Sequence, residues 1–274
     1  MPPAVRAHFL ALDTVPGWFS RLDFRVLVEL DRLQGRHGVG GDLFEIGAYF
    51  GKSAIFLGHL ARVPGERLTV CDVFEHADLI DPESFPVYHH WYSELTERAF
   101  VRQYLRFHAD LPEIIVGAWE AIPTERLGGT CPMVHVDGGD KYDVVRQDAS
   151  TARLLLRPGG IVAFDDISTP HNPGSALAVW ELVLSGQFVP LCLTEAKLYG
   201  TWDPGGIDWA AGIDEWVARE PDLGSEMHTL AGWPVRRLFA LDRPQVDADK
   251  LVRIPDLEQL PGGAFAGEQT GPTP

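Results

Sequence analysis

Three carboxylates are expected to gather at one edge of a sheet. The segment His135 to Asp166 has the pattern of a strand, a helix, a turn and a second strand. Asp137 closes the first of these strands, and Asp165 and Asp166 close the second. The carboxyl ends of parallel strands meet at the same edge of a sheet, where ligands bind. Like charges gathered there repel one another, so the segment predicts a site that contains a cation.

A divalent metal ion is one candidate for that cation. Neighbouring residues on a strand point to opposite faces, so Asp165 and Asp166 can share an ion only where the strand has ended. The sequence that follows, ISTPHNP, is typical of a turn. Together with Asp137 this gives three hard oxygen donors, which favour Mg²⁺, with Mn²⁺ and Ca²⁺ as alternatives. Otherwise these acids cap helices or bind loop amides.

A glycine loop earlier in the chain predicts a cofactor site. The stretch EIGAYFGKS has the pattern of a strand end, a tight loop bounded by Gly47 and Gly51, and the start of a helix. A dinucleotide fingerprint requires glycine at the second conserved position, which Tyr49 holds here. Its side chain would crowd a pyrophosphate, which disfavours a nicotinamide cofactor. S-adenosylmethionine has no phosphate and needs only a close backbone turn for its amino-acid end.

Other residues extend this predicted cofactor site. Asp72 ends the second strand, 25 residues beyond Gly47, where an acid that binds ribose hydroxyls is expected. Glu45 is placed to contact the loop backbone or the methionine ammonium, or else to cap the turn. Ser53 lies in the helix that follows the loop. Trp119 is expected either to stack on adenine or to be an ordinary core aromatic.

Four motifs together carry a family resemblance. LFEIGAYFGKSA, CDVF, VDGGDKY and RPGGIVAFDD, within about residues 40–200, resemble class I S-adenosylmethionine-dependent methyltransferases. They are most similar to the group that O-methylates sugars of macrolide and aminocoumarin antibiotics. The resemblance implies a Rossmann-like fold, methyl transfer to a hydroxyl, and Mg²⁺ held by Asp137, Asp165 and Asp166. Asp137 is thereby also expected beside the cofactor and the reacting hydroxyl.

The residue at the expected position of the general base differs from that of the resembling families. Three residues beyond the first metal aspartate, the sugar enzymes often have His and the catechol-type enzymes Lys. This chain has Asp140 there, with Lys141 next to it. Asp140 is a base if its pKa is raised, or else a further acid around the metal or a helix N-cap. His171, just after the Asp-Asp turn, is the other candidate base.

The whole chain is predicted to be an α/β protein with a doubly wound, mostly parallel sheet and helices on both faces. Apolar strands that alternate with helices give this pattern. An insertion after the second strand is expected to form a lid, a packed cap or a subunit interface. The predicted segments are a helical lead-in (1–40), the cofactor domain (41–202, with the insertion at 75–110), a C-terminal elaboration (203–254) and a disordered tail (255–274).

Composition narrows the choice of partners. The chain has 274 residues and a formal net charge of −16, which disfavours nucleic acid and anionic membranes. No apolar run reaches the ~18 to 20 residues of a membrane span, and no signal peptide is recognised. Cys71, Cys131 and Cys192 lack metal-ligand spacing, so we expect buried free thiols and a cytoplasmic location.

The sequence therefore predicts a Mg²⁺- and S-adenosylmethionine-dependent O-methyltransferase. The expected partner is a small hydroxylated molecule, in particular a sugar of a glycosylated natural product, and the chain is expected to be a homo-oligomer. A catechol-type enzyme that methylates phenols is one alternative. A protein that binds the cofactor without catalysing transfer is another, because of the departures at Asp140 and at Ala118, where many relatives carry an acid.

Overall fold

One mixed sheet organises the chain. The computed structural model describes residues 12–61, 65–79, 92–169 and 172–241. Within these ranges the sheet has the strand order β3-β2-β1-β4-β5-β7-β6-β9-β8. The strands are β1 (Leu43–Ile46), β2 (Leu68–Asp72), β3 (Glu113–Val116), β4 (Cys131–Val136), β5 (Leu156–Phe164), β6 (Val189–Leu193), β7 (Leu198–Thr201), β8 (Leu223–Leu230) and β9 (Trp233–Ala240).

Three of the seven described helices begin at a polar side chain that accepts a free backbone amide. The Ser20 hydroxyl accepts a hydrogen bond from the amide of Asp23, and Thr96 caps its helix in the same way through Ala99. The helices are α1 (Arg21–Arg36), α2 (Lys52–Leu60), α3 (Glu97–Tyr104), α4 (Thr124–Leu127), α5 (Tyr142–Leu155), α6 (Pro173–Leu184) and α7 (Trp209–Arg219), with short 3-10 turns at Leu12–Thr14, Phe74–Leu79 and Trp119–Ala121.

The first five strands form the parallel half of the sheet. β1 lies between β2 and β4, with parallel pairing on both sides. Every residue of β1, β2 and β4 is buried, which explains their nearly continuous apolar sequences. The chain runs outward from β1 to β2 and β3, then returns to β4 and β5 on the other side. The strand order thus reverses between β1 and β4, which opens a crevice at their carboxyl ends.

Apolar layers cover both faces of the sheet. On one face, α1, α2 and α7 contribute buried residues that include Phe24, Phe56 and Trp216. On the other face, α5 and α6 contribute buried residues that include Ala149 and Val179. The predicted Rossmann-like, mostly parallel sheet with helices on both faces is therefore confirmed.

The segment predicted as a C-terminal elaboration adds to the same sheet. β7 pairs antiparallel with both β5 and β6. β9 then pairs parallel with β6, and β8 pairs antiparallel with β9. The described residues up to Ala240 belong to one compact unit. Residues 80–91 of the predicted lid and the whole predicted tail lie outside the described ranges.

Two simple predictions from composition can be compared with the structure. Among the described residues, no helix is both long and apolar enough to cross a membrane. Cys71, Cys131 and Cys192 are buried free thiols, as expected. Burial raises the pKa of the Cys71 thiol to about 12, so this thiol is not a reactive nucleophile near neutral pH.

Candidate active site

A cavity of about 610 Å³ opens at the carboxyl ends of β1, β2, β4 and β5. It lies where the strand order reverses, and its size is in the range of small-molecule sites. Pro16 to Phe19, which precede α1, complete the wall. The predicted site residues that line the cavity are Gly47, Tyr49, Ser53, Asp72, Asp137, Asp140, Asp165 and Asp166.

The loop after β1 touches the loop after β4. Gly47 has a φ of +82°, and a Cβ built on it would lie 2.1 Å from the carbonyl oxygen of Asp137. The two loops are also tied by the amide of Asp137, which donates to the carbonyl of Ile46 at 2.7 Å. Only glycine combines this backbone conformation with so close an approach. The predicted cofactor loop therefore lies directly against the carboxylate site.

Asp72 holds the glycine loop in place. Its Oδ2 accepts the amides of Ala48 at 2.6 Å and Tyr49 at 2.8 Å, and its Oδ1 accepts the amide of Phe74 at 2.6 Å. Burial raises the pKa of Asp72, and these backbone hydrogen bonds oppose the rise. The carboxylate also lines the cavity. Its role toward a ribose stays a prediction.

Aromatic side chains form one wall of the cavity. Tyr49 has a φ of +50°, and its ring lies 5.5 Å from that of Trp18 and 5.9 Å from that of Tyr92, centroid to centroid. All three residues line the cavity, and Trp18 is 68% exposed. Tyr49 thus occupies space beside the loop that a pyrophosphate would need. Trp18 could not be predicted as part of the site, because the segment before α1 has no recognisable motif.

The cation predicted among the carboxylates is a lysine. Lys197 is 1% exposed, and its ammonium forms an ion pair with Oδ2 of Asp165. Burial disfavours the charged ammonium, but Asp165 and Asp137 outweigh it and raise the pKa of Lys197 to about 12. Burial raises the pKa of Asp165, and Lys197 opposes that rise. Lys197 was missed from the sequence, since its place opposite Asp165 depends on the antiparallel pairing of β7 with β5.

The carboxylate of Asp166 is bonded to the turn after β5. Its φ is +59°, and its Oδ1 accepts the hydroxyl of Thr169 at 2.6 Å. Its Oδ2 accepts the side-chain amide of Asn172 at 2.7 Å. Both oxygens are therefore bonded to the turn. The predicted ligand set of Asp137, Asp165 and Asp166 is not assembled, because the backbone turns at Asp166 and its carboxylate binds loop donors instead.

A buried acid–imidazole pair lies beside the cluster. Oε1 of Glu45 and Nδ1 of His135 are 2.8 Å apart, and neither side chain is exposed. Burial raises the pKa of Glu45 to about 8, although Ser53 and Lys197 oppose the rise. Burial, with Lys197 nearby, lowers the pKa of His135 well below its usual value, so the ring is neutral. Glu45 thus lies beneath the cavity and does not line it, contrary to its predicted cofactor contact.

A divalent ion fits this arrangement poorly. His135, Asp137 and Asp165 each offer an atom within 4.8 Å of the others, which is close enough for shared ligation. Asp165, however, is already bonded to the ammonium of Lys197, and His135 to Glu45. A cation bound here would face a buried positive charge. No step through a metal ion follows from this geometry.

Among the predicted site residues, Asp137 and Asp140 are the carboxylates that face the cavity most openly. Asp137 is accessible to solvent inside the cavity, although protein atoms surround it. Burial and the nearby Asp165 raise the pKa of Asp137 well above its usual value, and Lys197 opposes the rise. Asp140 is exposed and lines the same cavity. It is not a helix cap, because α5 begins at Tyr142 with Lys141 in the capping position.

Three other predicted residues are placed elsewhere. Gly51 precedes α2 with a φ of +88° and packs against the ring of Phe100 instead of lining the cavity. Trp119 lies half-buried in a 3-10 turn after β3, and it is not among the residues that line the cavity. His171 lies outside the described residues.

Residues 44–167 match the model of a family described as a methyltransferase domain. No curated protein sequence matches the chain. The structure of the O-methyltransferase NovP is similar in fold, with a TM-score of 0.51 and 18% sequence identity, over 65% of this chain and 79% of that one.

Two further solved structures are more distant in shape. CalS11, a TDP-rhamnose 3′-O-methyltransferase of calicheamicin biosynthesis, has 18% identity and a TM-score of 0.43, over 74% of this chain and 96% of that one. An O-methyltransferase from Bacillus cereus in complex with SAH has 16% identity and a TM-score of 0.40, over 86% of this chain and 89% of that one.

Proposed function

We propose that this chain, whose residues 44–167 match a methyltransferase domain, is a class I S-adenosylmethionine-dependent methyltransferase and that its acceptor is a hydroxyl group of a small metabolite. The observation that carries the proposal is the contact between the Gly47 loop and the Asp137 loop. That contact brings a cofactor loop and a solvent-accessible carboxylate into one cavity. A methyl donor and a proton acceptor are the two parts that an O-methyltransferase requires.

The residues that would hold the cofactor are those at the ends of β1 and β2. The Gly47 loop offers a close backbone turn without a pyrophosphate pocket, because Tyr49 fills that space. Asp72 fixes the loop and borders the cavity, where a ribose hydroxyl can donate to it. Ser53 lines the same wall. When bound, S-adenosylmethionine supplies a methyl group activated by the positive charge on its sulfur.

Asp137 is the carboxylate best suited to accept the hydroxyl proton. Its raised pKa brings its basicity closer to neutral pH, which strengthens a general base. Asp165 is engaged by Lys197 and Asp166 by the turn, so neither is equally available. Asp140 lines the same wall and is the second candidate. The proton taken from the acceptor thus passes to a carboxylate oxygen within the cavity.

A sugar ring of a glycosylated natural product fits the chemistry of the cavity walls. Carboxylates such as Asp137 and Asp140 accept hydrogen bonds from sugar hydroxyls. Trp18 and Tyr92 offer aromatic surface on the other side. The same aromatic surface favours a flat phenol as the second candidate acceptor. The net charge of −16 favours a small molecule over nucleic acid or an anionic membrane.

Magnesium dependence, which the resemblance implied, is left out of this mechanism because Lys197 already balances Asp165. A cytoplasmic location remains part of the proposal. Its support is the three buried free thiols, which suit a reducing compartment.

The test is a mass-spectrometric screen for methyl transfer. The protein is incubated with S-adenosylmethionine and a panel of glycosides and phenols. We expect at least one acceptor to gain the mass of one CH₂ group, with an equal amount of S-adenosylhomocysteine formed. Asp137→Asn should lower kcat at least about 100-fold, as expected for loss of a general base. Asp143→Asn is the matched control, since Asp143 is exposed on α5 and does not line the cavity.

Two outcomes would contradict the proposal. Binding of S-adenosylhomocysteine without turnover of any acceptor would identify a cofactor-binding protein that does not catalyse transfer. An Asp137→Asn variant as active as Asp143→Asn would remove Asp137 from the proton transfer.

We also propose that the chain forms a homo-oligomer. Leu154 on α5 is 60% exposed, and Leu177 and Leu184 on α6 are 61% and 73% exposed. Exposed apolar side chains on neighbouring helices favour burial against another protein surface. Sedimentation equilibrium should give a mass that is a multiple of 30.3 kDa. A monomer at high micromolar concentration would contradict this.

A further inference from the structure

The pairing of two strands places a lysine opposite an aspartate. β7 pairs antiparallel with β5, and the last pair in the register is Phe164 with Leu198. One step further, the same register brings Lys197 opposite Asp165. A hydrogen bond from the amide of Ile167 to the carbonyl of Ala196 at 3.0 Å continues the contact between these two chain segments. The backbone pairing of these two segments therefore holds Lys197 and Asp165 opposite each other.

The surroundings of Lys197 stabilise its buried, charged ammonium. Its side chain is 1% exposed, and its Nζ bonds to Oδ2 of Asp165. The ammonium also lies 5.1 Å from the centre of the Phe19 ring, within the range of a cation–π contact. Its backbone is held by a tight turn, in which the amide of Thr194 donates to the carbonyl of Lys197 at 2.9 Å. A buried charge is stable only with such partners.

The site thus contains a cation that the chain itself provides. Asp165 and Asp137 lie with His135 where a divalent ion would need its ligands. The ammonium of Lys197 is bonded to the first of these carboxylates. We infer that Lys197 takes the place of a divalent cation in this site, so that methyl transfer by this chain needs no metal ion. This inference rests on the proposed methyltransferase function.

Lys197 acts through Asp165 as a positioning residue. It is too deeply buried to contact an acceptor, so its effect is to neutralise and hold Asp165. Of the pair Asp137 and Asp165, Asp137 then remains open to the cavity. A bound metal would instead engage both carboxylates. If Lys197 holds Asp165, the wild-type protein has no divalent-ion site here. If a metal binds both carboxylates, it has one.

Titration with Mn²⁺, followed by electron paramagnetic resonance, tests this directly. The wild-type protein should bind no Mn²⁺ in the cavity. Lys197→Met removes the ammonium while keeping a long side chain, and it should raise the Mn²⁺ affinity at least about 100-fold, since a neighbouring like charge is lost. The gain should disappear in the Lys197→Met/Asp165→Asn double variant. Lys52→Met is the matched control, because Lys52 lines the same cavity but is bonded to the carbonyl of Gly17.

The result that overturns the inference is a wild-type Mn²⁺ site that Asp165→Asn abolishes. A folded Lys197→Met variant that gains no more Mn²⁺ affinity than Lys52→Met would overturn it as well. If Lys197→Met does not fold, the wild-type and Asp165→Asn titrations decide alone. These titrations need no acceptor, so they remain informative if the screen finds no methyl transfer. Should transfer be found, its rate in wild type should be unchanged by EDTA, and loss of the rate would refute the inference.

Discussion

Replacing Gly47 with alanine should separate the two loops that build the cavity. The backbone φ of +82° costs alanine roughly 1–2 kcal/mol. The new Cβ would lie 2.1 Å from the carbonyl oxygen of Asp137 and 2.6 Å from Cα of Gly138, so backbone must move. Movement endangers the hydrogen bonds from Asp137 to Ile46 and from Gly47 to Cys71, each worth about 0.5–1.5 kcal/mol. The expected loss of unfolding free energy is thus about 2–5 kcal/mol.

Gly38→Ala provides the matched control. Gly38 has a φ of +71°, and no described atom lies within 4 Å of a Cβ built there. This variant should lose only the roughly 1–2 kcal/mol of backbone strain. Urea denaturation measures both losses, and calorimetry measures S-adenosylhomocysteine affinity. We expect weaker binding in Gly47→Ala alone. Equal stability losses and equal affinities in the two variants would refute the claimed contact between the loops.

Three other substitutions probe the buried acids. Burial raises the pKa of Asp148 to about 7, so wild-type stability should fall as the pH rises from about 4 to 7, by at most about 4 kcal/mol, and Asp148→Asn should remove that fall in pH-dependent urea denaturation. The same fall in Asp148→Asn as in wild type would contradict this. Burial raises the pKa of Glu45 to about 8, so wild-type stability should also fall as the pH rises from about 4 to 8, and Glu45→Gln should reduce that fall in pH-dependent thermal denaturation; an unchanged pH dependence in Glu45→Gln would contradict this. Asp72→Asn replaces an oxygen that accepts loop amides, so it should cost about 1–3 kcal/mol and weaken S-adenosylhomocysteine binding; unchanged affinity would leave Asp72 without a role in shaping the loop.

The sequence predicted the parallel half of the sheet well because local patterns determine it. Short apolar runs bounded by glycine, such as LFEIG and PMVHVDG, allow few alternatives to buried strands. The carboxyl ends of these strands then had to meet. The gathering of Asp137 and Asp165 at one cavity, and their need for a cation, were both predictable on that basis.

The identity of the cation was not predictable in the same way. Lys197 reaches Asp165 through the antiparallel register between β5 and β7, which no local pattern specifies. A lysine at the start of an otherwise apolar strand, KLYGTW, was the one available sign. The sequence could not show how the carboxylate of Asp166 is engaged. Its left-handed backbone and its bonds to Thr169 and Asn172 depend on the turn as folded.

The elements after residue 203 show a similar limit. Only two of the eight residues of β8 are buried, and this strand pairs only with β9 in the described sheet. Its sequence, LGSEMHTL, lacks the apolar run that marked the earlier strands. Its place is set by pairing with β9, which in turn depends on β6. Because these strands depend on distant partners, the sequence predicted only a C-terminal elaboration and not an extension of the main sheet.

The central claim is that the Gly47 loop binds S-adenosylmethionine in the same cavity as Asp137. Calorimetric titration of the wild-type protein with S-adenosylhomocysteine tests it most directly. The structure predicts one binding site per chain, a micromolar dissociation constant, and no binding of NAD or NADH. An absence of S-adenosylhomocysteine binding at high micromolar concentration, or tight binding of NAD instead, would contradict the account.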